Sequence, residues 1–556
     1  MTDPTPRAPR VAWLRLRALP RRVTRVASLV TLALWVGSMA LLIDRSYLQA
    51  SVSLATDLSR YGSAAEWRGV YYRGAKIGFT VRQITPTADG FLLEEDGQLE
   101  MTLLGATTAA RIQTMARVDE AFALQAFDFS LDPGTGPITV AGRVEPAGLA
   151  AGWRLLIDLT TAGVTRTEER RLEAPPLLTI NLGRRLAAEG LAAGARHEWM
   201  VFDPATLSNA PVTLRVGERE VVRVGNTRMP AFRVDMAYAG LETTSWVTDT
   251  GEVVREESPL GILTMKEPAD RATIMAVPGR VQTDLLEAAA VVPVMTQRID
   301  DPRSVRRLRV RLVGADLTSP DLDGVGQTVD GDVIEIVRPE RPPSGPPDPE
   351  AARYLAPEPF IESDDPAIVA EMRLAVGDIE GDRARAEALT RYVNGLLDKK
   401  PTVGFPSARE VLRTRIGDCN EHTALYVAMA RAAGLPTRIA VGLVYMRGAF
   451  YYHAWPEVYL EDPDGGALWE AVDPTLNQFP ADGTHLRLAR GGLEKQTAIL
   501  PLIGRLEMTV LDLELAPDST TVLMATPPIA LENSAFPIPT LPTDTEGWCG
   551  CAESRP

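Results

Sequence analysis

From about residue 61 to 280 the chain alternates short apolar and polar runs broken by Gly, Asp, Pro and Asn, the period of half-buried strands rather than of helices. Residues 67–84 and 232–239 carry the alternation clearly. Residues 243–248 and 252–257 flank Asp249-Thr250-Gly251 and read as two strands on a three-residue turn. Turns that short join antiparallel neighbours, so a β-rich domain is expected over 61–300 and a small β segment over 301–338.

The period then changes. Pro339, Pro342, Pro343, Pro346, Pro347 and Pro349 crowd one short stretch, which reads as an extended, semi-rigid linker over 339–359. Beyond it Asp365-Pro366 is a cap followed by a proline at the first helical position, and Gly377 is a stop. A second helix is predicted from Asp382 to about Leu397, with Leu389, Tyr392, Val393 and Leu396 on one face. Residues 501–524 again alternate as strands, and 526–556 are proline-rich and polar, which reads as a flexible tail.

One run fits neither period. Residues 26–43 are uncharged and rich in Leu, Val and Ala, long enough to span a hydrocarbon core. Residues 1–25 place seven arginines before it against the single acid Asp3. That bias holds the N-terminus in the cytoplasm and exports the rest, which predicts a single-pass inner-membrane protein with a periplasmic or extracellular body. Ser38-Met39-Ala40 leaves a cleaved signal peptide as the competing reading.

At 556 residues the chain exceeds a single core. Its net charge of −15, with residues 1–25 themselves basic, makes the body strongly acidic, so nucleic acid is not an expected partner. Three cysteines do not form a disulfide scaffold. Cys549 and Cys551 sit together in Trp-Cys-Gly-Cys, which leaves Cys419 as an unpaired thiol in an exported chain.

The residues around Cys419 explain it. In Gly417-Asp418-Cys419-Asn420-Glu421-His422, Asp418 and Glu421 have the spacing of a capping box, and the helical pattern from Thr423 to Ala433 ends at Gly434-Leu435-Pro436. Cys419 then takes the first helical position, where free N–H groups and the helix dipole are expected to lower its pKa. Residues 438–446 and 450–460 read as strands, the second carrying His453 between aromatic residues, and 469–472 as a third, ended by Asp473. A carboxylate there can orient the imidazole, giving a candidate triad of Cys419, His453 and Asp473. Glu421 fits a cap, and His422 is either a supporting or a surface residue. A zinc site from Cys419, His422 and His453 lacks a paired Cys-x-x-Cys or His-x-x-x-His, so neither metal nor cofactor is expected.

Gly-Asp-Cys-x-Glu-His, Ala-Arg-Ala-Ala-Gly-Leu-Pro-Thr-Arg (430–438), His453-Ala454-Trp455-x-Glu457-Val458-Tyr459 and Trp469-x-x-Val472-Asp473-Pro474-Thr475 occur in this order. Together they resemble the transglutaminase-like superfamily over about 380–480, in a bacterial membrane-anchored form. The resemblance implies an α+β, papain-like core, a helix bearing cysteine packed on an antiparallel sheet, within a domain spanning 360–525. It also implies acyl-transfer chemistry of the cysteine protease, amidase (hydrolase) or transglutaminase (acyltransferase) kind on exported peptide, protein or envelope amides. A catalytically silent module in an envelope scaffold is the alternative. Asp462-Pro463-Asp464-Gly465-Gly466 reads as a turn rather than a calcium site. The segment beginning Gly69-Val70-Tyr71-Tyr72 loosely resembles curved sheets that cradle lipids or lipoproteins, which would make an envelope protein or lipid the partner. The plainer reading is a β-domain that spaces or docks the catalytic half.

Overall fold

The computed structural model describes residues 65–516 apart from short stretches, of which 276–283, 339–344 and 493–498 are the longest. The apolar run 26–43, the basic segment before it, the tail with Cys549 and Cys551, and most of the 462–466 turn lie outside the described residues. Among the described residues no helix is long and apolar enough to cross a membrane.

The alternating region folds as one antiparallel sheet of fourteen strands, from β1 (Glu66–Tyr72) to β14 (Ile262–Lys266). β1 and β14 pair with each other, so the first and last strands meet in the middle of the sheet. The period of two is visible in β7 (Trp153–Thr161), where Leu155, Ile157, Leu159 and Thr161 are buried and the residues between them are half-exposed. The helix α1 (Leu182–Glu189) interrupts the strands and places Leu182 and Leu186 in a core with Val201, Val212, Leu214, Val216, Val234 and Val247. The hairpin around Asp249-Thr250-Gly251 is present, closed by Thr248 N–H on Glu252 O at 2.9 Å.

Two further sheets follow. β15 (Val305–Val313), β16 (Gln327–Asp330) and β17 (Val333–Val337) form a small sheet, joined at its edge by β24 (Glu507–Leu515). Gly345, in the proline-rich stretch, exchanges backbone hydrogen bonds with Ala467. Asp348 then donates its N–H to Tyr459 Oη at 2.8 Å and accepts Trp469 Nε1 at 2.9 Å.

The second half is built around one helix. α2 (Pro366–Val376), capped by Asp365 and stopped at Gly377, α3 (Asp382–Leu396) and α4 (Ala408–Thr414) pack on α5 (Cys419–Ala432). Every residue of α5 from Glu421 to Arg431 is buried, which is why it lacks an amphipathic stripe. Its other side lies on β20 (Thr437–Met446) and β21 (Ala449–Glu461), within the sheet order β22-β21-β20-β23, where β22 is Ala467–Ala471 and β23 is Leu486–Gly491. The two halves touch directly: Thr161 Oγ1 donates to Glu362 Oε1 at 2.9 Å, Arg413 Nη2 to Thr135 O at 2.7 Å, and Val291 bridges Phe450.

Glu457 anchors this sheet from within. It is buried against Arg438 at 2.7 Å and Arg487 at 2.9 Å. Burial alone would raise its pKa, but Arg487 and Arg438 outweigh burial and pull it down to about 2. Glu457→Gln leaves two buried guanidinium groups without their carboxylate and is expected to cost about 3–5 kcal/mol. Urea unfolding measures this, and a loss below about 1 kcal/mol would mean that Arg438 and Arg487 do not depend on this carboxylate.

Candidate active site

α5 begins where the sequence places its start. Asp418 is the N-cap, its Oδ1 accepting Asn420 N–H at 3.0 Å, while Glu421 Oε2 takes Asp418 N–H at 2.8 Å. Gly417 permits this folding back, since a Cβ there would lie 2.1 Å from the Glu421 Cβ. Thr402 braces the cap by donating Oγ1–H to Glu421 Oε1 at 2.6 Å. Cys419 is thus the first residue of a buried helix, itself partly exposed.

β21 supplies the histidine. His453 lies opposite Gly442 of β20, and the next residue, Ala454, ties the strand to α5 by accepting Thr423 Oγ1–H at 3.1 Å. The Ala454 N–H also faces the Cys419 sulfur and favours its thiolate. Asp473, just past β22, holds His453 Nε2 on its Oδ2 at 2.8 Å, both side chains being buried. Its Oδ1 accepts the N–H groups of Thr475 at 2.7 Å and Leu476 at 2.9 Å. Asp473 past β22 thus holds His453 of β21 directly, and Ala454, the residue after His453, faces the Cys419 sulfur at the start of α5. With Nε2 engaged by Asp473, Nδ1 is the ring nitrogen that Asp473 does not engage.

The electrostatics reverse one expectation. Burial pushes the Cys419 thiol well above its ordinary value, and the nearby Asp418, Glu421 and Asp473 add to the rise. The helix start was expected to lower it, but the capping that creates this start also brings two acidic side chains beside the sulfur. Glu421 is raised in turn by burial and by Asp418, which favours its neutral form. Asp473 is strongly lowered: burial opposes its charge, but His453 and His485 outweigh burial.

His485 was missed in the sequence. It directly precedes β23, and its Nε2 reaches the same Asp473 Oδ2 at 3.1 Å while its Nδ1 reaches Asp482 Oδ1 at 3.1 Å. The signal in the sequence was slight, a histidine three positions after an aspartate at the head of an alternating run. Gly442 makes the approach possible, because a Cβ there would lie 2.0 Å from Leu486 O. Burial opposes the His485 charge, but Asp482 and Asp473 overcome burial and raise its pKa to about 9. His422, by contrast, is fully buried with Nδ1 on Asp418 O at 2.7 Å, and burial lowers its pKa.

His453, Asp473 and His485 bring three donor atoms together, which raises the possibility of a metal ion. Donors around tetrahedral zinc, each at about 2.0–2.1 Å from the ion, stand roughly 3.3 Å apart. The separations of 2.8 and 3.1 Å onto one carboxylate oxygen are those of shared protons instead.

A pH dependence of stability follows. His485 rises from an unfolded value of about 6.5 to about 9, so its contribution is complete below about pH 6.5 and is lost as pH rises through about 9. The melting temperature is expected to fall between pH 6.5 and 9.5, and His485→Gln to flatten that fall. Equal slopes in the two proteins would contradict the assignment.

Residues 372–474 match the model of the transglutaminase-like superfamily. No curated protein matches the chain. Among solved structures, a candidate cysteine protease from Cytophaga hutchinsonii is 16% identical, with 38% of this chain and 90% of that chain covered and a TM-score of 0.26. The periplasmic domain of TgpA from Pseudomonas aeruginosa, bound to ethylmercury, is 17% identical over 35% and 94% of the two chains, with a TM-score of 0.23. A β-barrel-like protein of a domain family of unknown function from Brucella abortus is 13% identical over 37% and 96%, with a TM-score of 0.29.

Proposed function

From the premise that residues 372–474 form a domain of the transglutaminase-like superfamily, we propose that the chain is a thiol acyl-transfer enzyme acting on peptide, protein or envelope amides. The observation that carries this reading is the His453–Asp473 pair at 2.8 Å, on a strand whose next residue, Ala454, accepts a hydrogen bond from Thr423 of the helix that Cys419 begins. Cys419 passes its proton to His453 Nδ1 as its sulfur bonds to the amide carbonyl carbon. Asp473 fixes the ring tautomer and stabilises the imidazolium. The developing oxyanion meets the Cys419 backbone N–H, free at the helix start. His453 then returns the proton to the leaving amine, and water or a second amine releases the acyl group from sulfur.

The proposal includes export and tethering by the apolar run 26–43, with the acidic body outside the cytoplasm. Protease added to spheroplasts is then expected to digest the body. Protection until the inner membrane is opened would overturn that part, and a mature N-terminus near residue 41 would replace the tether with a cleaved signal.

The raised thiol favours a second reading, a catalytically silent module within an envelope scaffold. A thiol-directed amide probe separates the two. Labelling that disappears in Cys419→Ala supports the enzyme, and absence of labelling under reducing conditions supports the module.

A further inference from the structure

A cavity of about 1070 Å³ is lined chiefly by the small sheet, by β21 and β22 and by residues 477–482, and neither Cys419 nor His453 is on its walls. Arg303, Arg306 and Arg338 are. The β15–β17 ladder shows how two of them come together. It completely buries the facing pairs Val310–Ile334 and Leu308–Ile336, which share one face because the period of a strand is two. The next pair on that face is Arg306 and Arg338, brought opposite each other by Arg338 N–H on Arg306 O at 2.7 Å. Like charges directly opposite in a sheet repel, and here they stand where the pattern calls for two apolar side chains. Gly326 makes room for the Arg338 guanidinium, since a Cβ there would collide with Nη1.

Among the described residues none of these three arginines forms an ion pair. Arg303 Nη2 donates to Leu476 O at 3.0 Å, and Arg338 Nη1 reaches Gly326 O at 3.3 Å and Val337 O at 3.4 Å, long contacts for a guanidinium. The carboxylates on the cavity walls are engaged by other groups. Glu335 accepts Arg307 at 2.6 Å, Glu470 accepts Arg383 at 3.1 Å, and Asp348 accepts Trp469 Nε1 and the Glu350 N–H, both at 2.9 Å. Glu457 is held by Arg438 and Arg487, and Asp482 by His485 and Gln478. Burial lowers the Arg338 pKa, and Arg487 adds to the lowering against the pull of Glu470, Glu457 and Asp482. We propose that this cavity is a binding site for an organic anion, whose carboxylate or phosphate group is taken by Arg306 and Arg338 while its less polar body lies against Leu468, Trp469 and Phe479. The guanidinium fork matches either group, and Arg303 adds to the field that attracts it. The volume suits a small molecule rather than a bare ion. No role of Cys419 enters this inference, which goes beyond the acyl-transfer reading.

The test is calorimetric titration of the full chain, in phosphate-free buffer at constant ionic strength, with citrate and with glucose 6-phosphate as probes for the two kinds of group. At least one is expected to bind with a Kd below about 1 mM. Citrate alone assigns a carboxylate ligand, and the sugar phosphate alone a phosphate. Arg306→Gln and Arg338→Gln are each expected to weaken binding about tenfold or more, since each removes charge-assisted hydrogen bonds, and either stands in if the other does not fold. Arg309→Gln, on the exposed side of β15, is the control and is expected to leave binding unchanged. Melting curves give a reading that a merely structural arginine would not. Without a probe, Arg306→Gln relieves the facing like charges and is expected to melt no lower than the unsubstituted chain, whereas at saturating probe the unsubstituted chain is expected to melt higher. Binding of neither probe, equal binding by the Arg306 and Arg338 variants, or an equal loss in Arg309→Gln, which would mean an adventitious ion effect only, overturns the proposal. So does an unliganded Arg306→Gln that melts several degrees lower. Cys419→Ala is expected to bind the probe as before, so failure of the thiol mechanism and failure of this site are read separately.

Discussion

A Cys419→Ala variant is expected to fold normally and to lose turnover by a factor on the order of 10⁶, the loss found when a covalent nucleophile is removed. The side chain is partly exposed and only the sulfur is deleted, so little packing is lost and the melting temperature should change by a few degrees at most. His453, Asp473 and the α5 capping box remain, and none of them can form the acyl intermediate. The measurement is hydrolysis or transfer on any amide that the unsubstituted chain processes, together with mass spectrometry for an acyl adduct on Cys419. Activity retained at the original level would end the acyl-enzyme mechanism, whatever the fold.

Asp473→Asn is expected to be the second largest loss, on the order of 10⁴ in kcat. The surroundings say how it would arise. Thr475 and Leu476 donate two backbone N–H groups to Oδ1, which fixes the asparagine carbonyl there and puts its NH₂ where Oδ2 was. That NH₂, a donor where Oδ2 was an acceptor, then faces His453 Nε2 and His485 Nε2. His453 is forced to carry its proton on Nδ1 and ceases to be a base toward the thiol. Stability suffers too, by about 3–5 kcal/mol, since His485 is left as a buried charge facing an amide. Activity must therefore be measured at a temperature where the variant is folded, as checked by circular dichroism. A folded Asn variant within tenfold of the original kcat would remove Asp473 from the mechanism.

Much of the site was legible because its determinants are local. Asp418 and Glu421 are three residues apart, so the capping box that starts α5 at Cys419 is written in adjacent positions, as are the Asp365-Pro366 start of α2 and its Gly377 stop. The alternating runs determined the strands in the same way, because the two-residue period reports which side of a strand is buried without reference to its partner. The order of cysteine, histidine and aspartate, at the start of α5, on β21 and just past β22, was readable for the same reason.

What only the tertiary structure decided involves distant partners. The pairing of β1 with β14, two hundred residues apart, joins one large sheet out of strands whose pattern is silent about pairing. The thiol's pKa is raised first by burial, which depends on how the whole chain packs, and then by Asp418, so the lowering expected from the helix start does not prevail. His485 sits beside Asp473 because Gly442 lets β23 approach β20, and its charge depends on two carboxylates that no short motif records. Local hydrogen-bonding and periodicity thus fix where an element begins and which face it buries, whereas pairing, desolvation and shared protons depend on which surfaces the whole chain brings into contact.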